Sequence, residues 1–428
     1  MVRGPRPDRL IGAFRRFAAF RRFGTFPRLG TFPRLGKFPR FAAFREFGAI
    51  RRLGASPRFG AFRRFGGRAG DERTAAWLGI GLGVSFTVAF VTGLISHFMQ
   101  HPPGWAVWPS RPVGLYRLTQ GLHVIGGLAT IPLLLAKLWT VYPKLWQWPP
   151  VRSAGHAVER ALVLPLVAGA LFQLVTGLFN IAYFYPFPFF FPAAHYWTAY
   201  IVYGALLIHV ANQWAKVRGL WGTKAPAARP VGPSRRGFLA TVAGACGLVG
   251  LVTVGETFTP LGGLALLAPR RPGVGPQRLP VNKTAAAAGV TRDPAWRLAV
   301  TGDVTRELSL SLADLRAMPR HVVRLPIACV EGWSAEATWA GVRLRDVLHA
   351  AGVDVDARVR VESLEARGRY RTSEVDPPHW HDELTLLALD LNGEPLSLDH
   401  GYPCRLIAPD RPGVMQTKWI ARLVVSRS

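Results

Sequence analysis

Four histidines and one cysteine define the chemistry this chain can do. His97, His123, His195 and His209 lie in or beside stretches without charged residues, and Cys329 opens the segment CVEGWS. Imidazole nitrogens in an apolar setting suit axial bonds to haem iron, which takes two of them. A thiolate suits a soft metal, here one whose remaining ligands come from a cofactor. His195 and His209 are 14 residues apart. That is close to four helical turns, so they share one helix face about 21 Å apart. The expected pairing puts His97 with His195 and His123 with His209, two bis-His sites at two depths. Read singly, each histidine serves equally as a polar contact between helices. Gly93, Gly121, Gly126, Gly127 and Gly204 would let a flat macrocycle approach the backbone. His101 and His156 read as interfacial.

The chain has only three cysteines in 428 residues. Cys246 reads as a small hydrophobe. Cys329 has three readings: half of a disulfide with Cys404, a plain buried thiol, or a metal ligand. No CxxC pair occurs, so zinc and iron–sulfur sites lack ligands.

These residues sit on two kinds of element. The length permits two or three domains, and 49% of residues are hydrophobic. Uncharged runs cover 74–98, 118–136, 161–194, 196–215 and 237–255. A bilayer span needs about 20 apolar residues, so five spans are expected. Lys137, Lys144 and Arg152 lie between spans two and three. Lys216, Arg218, Lys224, Arg229, Arg235 and Arg236 lie between spans four and five. The opposite side carries Arg111, Arg117 and the uncharged loop YFYPFPFFFPAA. Positive residues stay inside. The amino terminus is therefore expected in the cytoplasm, and everything after about residue 260 outside.

Much of the net charge of +28 belongs to the first 70 residues, which hold 18 Lys or Arg and two acids, Asp8 and Glu46. Residues 1–73 repeat a Phe-Pro/Arg-Arg-Phe/Leu-Gly unit and read as a disordered basic tail. Such a tail suits anionic lipid; nucleic acid is not an expected partner. With no apolar core in it, a cleaved signal peptide of the usual kind is not expected. Residues 261–280 form a Pro/Gly-rich linker. From 281 the pattern changes to short β-type runs (WRLAVTGDV, HVVRLPIAC, RVRVESL, TLLALDLNG, CRLIAPD, WIARLVV), with DLRAMP and LRDVLHAAGV as short helices. That is an α+β domain with antiparallel pairing.

The histidine arrangement over 74–217 resembles the four-helix cytochrome b subunits of formate dehydrogenases and nickel–iron hydrogenases, which carry one histidine on span one, one on span two and two on span four. The resemblance implies two b-type haems and a quinone partner. Within 218–260, which also holds the fifth helix, SRRGFL resembles a twin-arginine export signal placed internally; the positive-inside rule alone also accounts for both arginines. Residues 281–428 resemble the molybdopterin domain shared by sulfite oxidases and the catalytic subunit of bacterial methionine-sulfoxide reductase. The segments carrying this are LPVNKT, CVEGWS, VRVESL, NGEPLSLDHGYPCRLIAPD and GVMQTKWIARLVV. The resemblance implies that Cys329 binds molybdenum. Asn282, Ser363, His400, Arg405, Gln416, Thr417 and Lys418 then contact the cofactor, with His400 and Arg405 at pterin-phosphate positions. His400 stands where the reductase has Asn. Arg367, Arg369 and Arg371 read as an anion pocket or a solvated hairpin. His379 and His381 read as surface residues of a loop, and Cys404 as core.

The whole then reads as a membrane-anchored molybdenum oxidoreductase with its own haem wire. It exchanges electrons with quinone and acts on a small oxidant or reductant, an S-oxide or a sulfite-like compound. The alternative is a b-type electron carrier or sensor whose outer domain is not catalytic.

Overall fold

The computed structural model describes residues 71–145, 149, 151–222, 234–266, 270 and 272–427. The basic tail, Lys224 and Arg229 lie outside the described residues. Five long helices come first: α1 (Glu72–Gln100), α2 (Leu115–Leu145), α3 (Ala154–Ile181), α4 (Phe191–Gly222) and α5 (Arg235–Thr257). Side-chain acceptors start three of them: Asp71 caps α1, Ser153 caps α3 and Ser234 caps α5. Four helices are long and apolar enough to cross a membrane, within 72–100, 115–142, 154–181 and 235–257. Helix α4 is not among them. It is 32 residues long, but Tyr196, Trp197, Tyr200, Tyr203, His209, Asn212 and Gln213 lower its mean hydropathy. The expectation of five spans is corrected to four helices with the length and apolarity of a span, plus one long, more polar helix.

Helix α1 packs along α2, α3 along α4, and α5 along α2; the two hairpins α1/α2 and α3/α4 meet each other far less extensively. Polar residues face inward. Thr74, Thr130 and Thr176 are at most 1% exposed, whereas Val84, Leu135 and Leu164 are 60–71% exposed.

After a short helix α6 (Ala285–Ala288) come β1 (Arg297–Gly302), β2 (Leu308–Ser311), α7 (Leu312–Ala317), β3 (His321–Ala328), β4 (Ser334–Arg343), α8 (Leu344–Ala350), β5 (Ala357–Ser363), β6 (Thr372–Val375), α9 (Pro377–Trp380), β7 (Leu386–Leu391), β8 (Glu394–Pro395), β9 (Arg405–Ile407) and β10 (Ile420–Arg427). One sheet runs β2-β1-β10-β5-β6; the other runs β3-β4-β7-β8, with β9 also on β7. All pairs are antiparallel except β1 with β10. That parallel pair departs from the expected antiparallel pairing, and the 117 residues between its strands (303 to 419) hold all the other strands. Strand β4, absent from the expected runs, is the partner that fixes β3. Inward residues of both sheets, such as Leu298, Val359, Leu423, Val342 and Leu387, share one core with Leu344 and Leu348 of α8.

The β domain rests on one end of the bundle. The end of α1, the start of α2 and the end of β3 share a small core of Met99, Tyr116 and Ala328. Asn180 at the end of α3 and Thr257 at the end of α5 bond the segment after β3.

Candidate active site

Cys329 follows the last residue of β3. Its N–H donates to the Trp333 carbonyl at 2.8 Å, and the Gly332 N–H donates to its carbonyl at 3.1 Å. These bonds close a tight turn, Cys329–Trp333, in which Gly332 holds φ +105°, a conformation open to glycine. The thiol is 2% exposed. Burial pushes it well above the usual thiol range, with the Glu331 charge adding to that. Glu331 is itself buried, ion-paired with Arg270 and bonded by the Trp333 indole N–H at 3.2 Å.

All described cysteines are free. Cys329 and Cys404 lie in different cores, one on each side of the second sheet. The disulfide reading is therefore overturned. Cys404 is core, as expected.

Cys329 lines a pocket with Asn282, Trp333, His400, Arg405 and Lys418. An adjoining cleft shares Asn282, Gly413 and Lys418 with it and adds Ser363, Glu365, Arg369, Tyr370, Gln416 and Thr417. The fold thus gathers, from segments up to 136 residues apart (282 to 418), every residue that the sequence assigns to the cofactor.

The chemistry of the pocket is cationic. Arg405 is 3% exposed. It donates to the His400 and Gln416 carbonyls at 3.2 and 3.3 Å, and its Nε has no partner. Burial brings this guanidinium down to about 9. Lys418 donates to the carbonyls of Lys283 at 2.6 Å and Asp399 at 3.0 Å. Burial, then the Arg405 charge, lowers it to about 7. His400 is lowered to about 4 by burial, then by Arg405, and its Nε2 lies 2.9 Å from the Pro276 carbonyl. Gln416 leaves Oε1 buried without a partner. Buried cations and orphaned polar atoms are costly unless a ligand pairs with them. A phosphate-bearing cofactor would satisfy Arg405 and Lys418 as forked and point-charge donors.

Two assigned residues are already engaged. Ser363 donates to the Lys418 carbonyl at 2.8 Å, and Thr417 shares a 2.7 Å bond with Ser373. Both shape the cleft through these bonds. Arg367, Arg369 and Arg371 are all exposed; of the three, Arg369 lines the cleft and lies 4.1 Å from the Phe190 ring centroid. His379 is not a surface residue. It is 4% exposed with both ring nitrogens unpartnered, and burial, then Arg411, lowers it to about 3. The α9 turn carries it inward, while its neighbour His381 stays out and bonds Asp356 at 2.9 Å.

Sequence reasoning missed Asp410, Arg411, Glu331 and Arg270. Arg411 is buried with its Nε unpartnered. Asp410 accepts from the Tyr116 N–H at 2.6 Å, capping α2, and burial raises it to about 7. The segments PDRPG and CVEGW hold three of these charges beside assigned residues, which was the available signal. Arg270 carried none.

In the bundle, His123 faces His195, with ring centroids 6.3 Å apart. His97 stacks on Tyr196 at 3.6 Å and on His101 at 4.8 Å. His209 lies deeper, with Lys137, Glu159 and Lys216 as its charged neighbours. The histidines that face each other are thus His123 and His195, where the depths led to the expectation of His195 with His97 and His123 with His209. His123 reaches α4 near its start, since α2 enters the bundle beside the end of α1.

Residues 285–428 match the family described as the oxidoreductase molybdopterin-binding domain. This segment is a molybdopterin-binding oxidoreductase domain. The chain is 36% identical over 126 residues to the oxidoreductase YuiH of Bacillus subtilis, covering 29% of this chain and 62% of that protein. It is 34% identical over 165 residues to mitochondrial sulfite oxidase of Mus musculus, covering 31% and 30%. It is 32% identical over 134 residues to the putative protein-methionine-sulfoxide reductase subunit YedZ1 of Azospira oryzae, covering 31% and 50%. The chain spans less than two thirds of each of these relatives.

Proposed function

We propose that the chain is a membrane-bound molybdenum oxidoreductase whose outer domain exchanges electrons with b-type haem among the bundle histidines, and through it with quinone. One observation carries this reading. Cys329 opens on a pocket whose buried cations, Arg405 and Lys418, have unmet or carbonyl-only partners.

Cys329 would supply the thiolate; metal binding removes its proton. Arg405 and Lys418 would hold the pterin phosphate, with Asn282, His400 and Gln416 around it. The bound cofactor supplies two-electron or oxygen-atom transfer. The protein positions it, and the tight Cys329–Trp333 turn fixes the sulfur. An S-oxide or sulfite-like compound is the proposed substrate, in keeping with the names of two relatives.

The proposed topology has the amino terminus in the cytoplasm and the molybdopterin domain outside. The contacts of the β domain all fall on one end of the bundle. Lys144, Lys216 and Arg236 fall towards the opposite helix ends, in keeping with the positive-inside rule. Arg235 and Arg236 would act as an export signal for a domain that folds around its cofactor before crossing. Arg235 also pairs with Asp71, the cap of α1, which ties the two helix starts together.

Elemental analysis and a haem assay on the purified full chain test the reading. Stoichiometric molybdenum together with haem is expected. Molybdenum without haem would leave an oxidoreductase with no membrane wire, and haem without molybdenum would leave an electron carrier.

A further inference from the structure

The segment that carries Cys329 is also the segment that rests on the bundle, and its contacts converge on one atom. The Val330 carbonyl, next in the chain after Cys329, accepts from Gln120 Nε2 at 3.0 Å and from Asn180 Nδ2 at 3.1 Å. Gln120 is on α2 and Asn180 on α3, so the two donors come from different hairpins. Gln120 is 5% exposed and is itself fixed by the Ser96 hydroxyl at 2.8 Å.

Gln120 stands one helical turn from a histidine, and Asn180 one turn from the residue that bonds another. On α2, Gln120 precedes His123 by three residues, about 4.5 Å along the axis. On α3, Asn180 follows Thr176 by four, and Thr176 Oγ1 lies 2.8 Å from His195 Nδ1. His123 Nδ1 lies 2.8 Å from the Ala89 carbonyl. The Nδ1 atoms are thus the engaged ones, which leaves Nε2 of each ring for a metal, the usual division of labour in a ligating histidine. The ring centroids are 6.3 Å apart. Two imidazoles bonded to one metal at about 2 Å each have centroids about 6 Å apart. The rings come from opposite hairpins, across the side of the bundle where helix packing is sparse. Any side chain at Gly93 would collide with the His123 ring, since an ideal Cβ would lie 2.7 Å from it.

We propose that one haem is held by His123 and His195, and that Gln120 and Asn180 are positioning residues that join it to Cys329 through the Val330 carbonyl. The inference rests on the function proposed above and departs from the two-haem pairing that the helix spacing led us to expect. With both groups bound, one electron would pass between the iron held by His123 and His195 and the molybdenum held by Cys329, one metal losing the electron that the other gains. No bond to carbon, sulfur or oxygen is made or broken.

Two measurements on the full chain in lipid nanodiscs test it. Haem content is first measured for four single variants. His123→Ala and His195→Ala should each lose haem, while His97→Ala and His209→Ala keep it. Halved haem in all four variants would restore the two-haem pairing and overturn this site. Next, a flash with a photoreductant reduces the haem, and its reoxidation is followed optically with the +5 molybdenum signal, so that no substrate is needed. Gln120→Leu combined with Asn180→Leu should slow reoxidation about tenfold or more, at unchanged molybdenum and haem content; each single variant should show part of the effect. Thr257→Val is the control. Thr257 bonds the Gly332 carbonyl of the same turn at 3.2 Å, but α5 carries neither histidine. An equal slowing by Thr257→Val would mean general docking and would overturn the path, as would an unchanged rate in the double variant and in both singles. A wild-type chain lacking molybdenum or haem would instead defeat the function proposed above.

Discussion

The β domain and the helix bundle solve opposite burial problems. In the domain, apolar side chains point inward, and β7 is buried at all six positions. In the bundle, threonines, Gln120 and His123 point inward, while Val84, Leu135 and Leu164 point out. The domain's pattern suits water, and the bundle's apolar outer face suits lipid, as the length and composition of four of its helices allow. The difference bears on function. Polar groups inside an apolar shell are affordable only when partnered, so the bundle's interior histidines, glutamine and asparagine mark what the bundle is for. The domain's buried cations mark its site in the same way.

Predictions that separate the two regions begin with the largest effect. Cys329→Ser exchanges a soft thiolate for a hard hydroxyl. It should abolish turnover with dimethyl sulfoxide and with sulfite while leaving the haem spectrum unchanged; a spectrum that changes with it would erase the division of labour. Replacing both Arg235 and Arg236 by lysine keeps the charge, including the pairing with Asp71. It should strand the β domain inside the cell, read as protease protection of residues 280–428 in spheroplasts. Full accessibility would remove the export reading and leave Arg235 as a structural pair.

A smaller effect is expected at Arg405. Arg405→Ala removes a buried forked donor worth about 1.5–3 kcal/mol per charge-assisted bond. Molybdenum content should fall about tenfold or more at limiting cofactor, with haem unaffected. Content equal to wild type would place the phosphate elsewhere.

Lys418 gives a pH test. Its unfolded pKa is about 10.4, and burial with Arg405 nearby brings it to about 7 in the fold. The native state therefore binds fewer protons than the unfolded state between those values. Stability of the cofactor-free protein should rise with pH across that window and be lost as pH falls towards 7. Lys418→Met should flatten the rise, and a slope that survives the substitution would assign it to another group. The smallest effect is expected at the join between the two regions. Asp410→Ala removes the acceptor at the start of α2 and should cost about 1 kcal/mol in thermal unfolding. No change would mean that water replaces the cap.

Much of this was legible in the sequence, for reasons that differ by region. The cofactor pocket was readable because its residues lie in short segments of fixed order, LPVNKT, CVEGWS, GYPCRL and QTKWI, and the sheet brings these together. Strand β4 was hidden because SAEATWAGVR mixes small, charged and aromatic residues without strict alternation; its buried residues, Ser334, Ala335, Ala337, Trp339, Gly341 and Val342, do not alternate strictly either. The meeting of His123 with His195 was not readable because helix spacing fixes which residues share a face of one helix, but not the depth at which two helices meet. Gln120 and Asn180 carried no signal on their own. Their role depends on the Val330 carbonyl, 210 and 150 residues away.

The central claim is that electrons pass between the Cys329 site and the bundle of the same chain. Stopped-flow spectroscopy on the full chain tests it directly, in two arms. Sulfite is mixed with the oxidised protein, and dimethyl sulfoxide with the protein reduced by a just-stoichiometric amount of dithionite. The account predicts a change in the haem spectrum in at least one arm for the wild type, and in neither arm for Cys329→Ser. A haem that stays unchanged in both arms, or that responds equally in the variant, would contradict it.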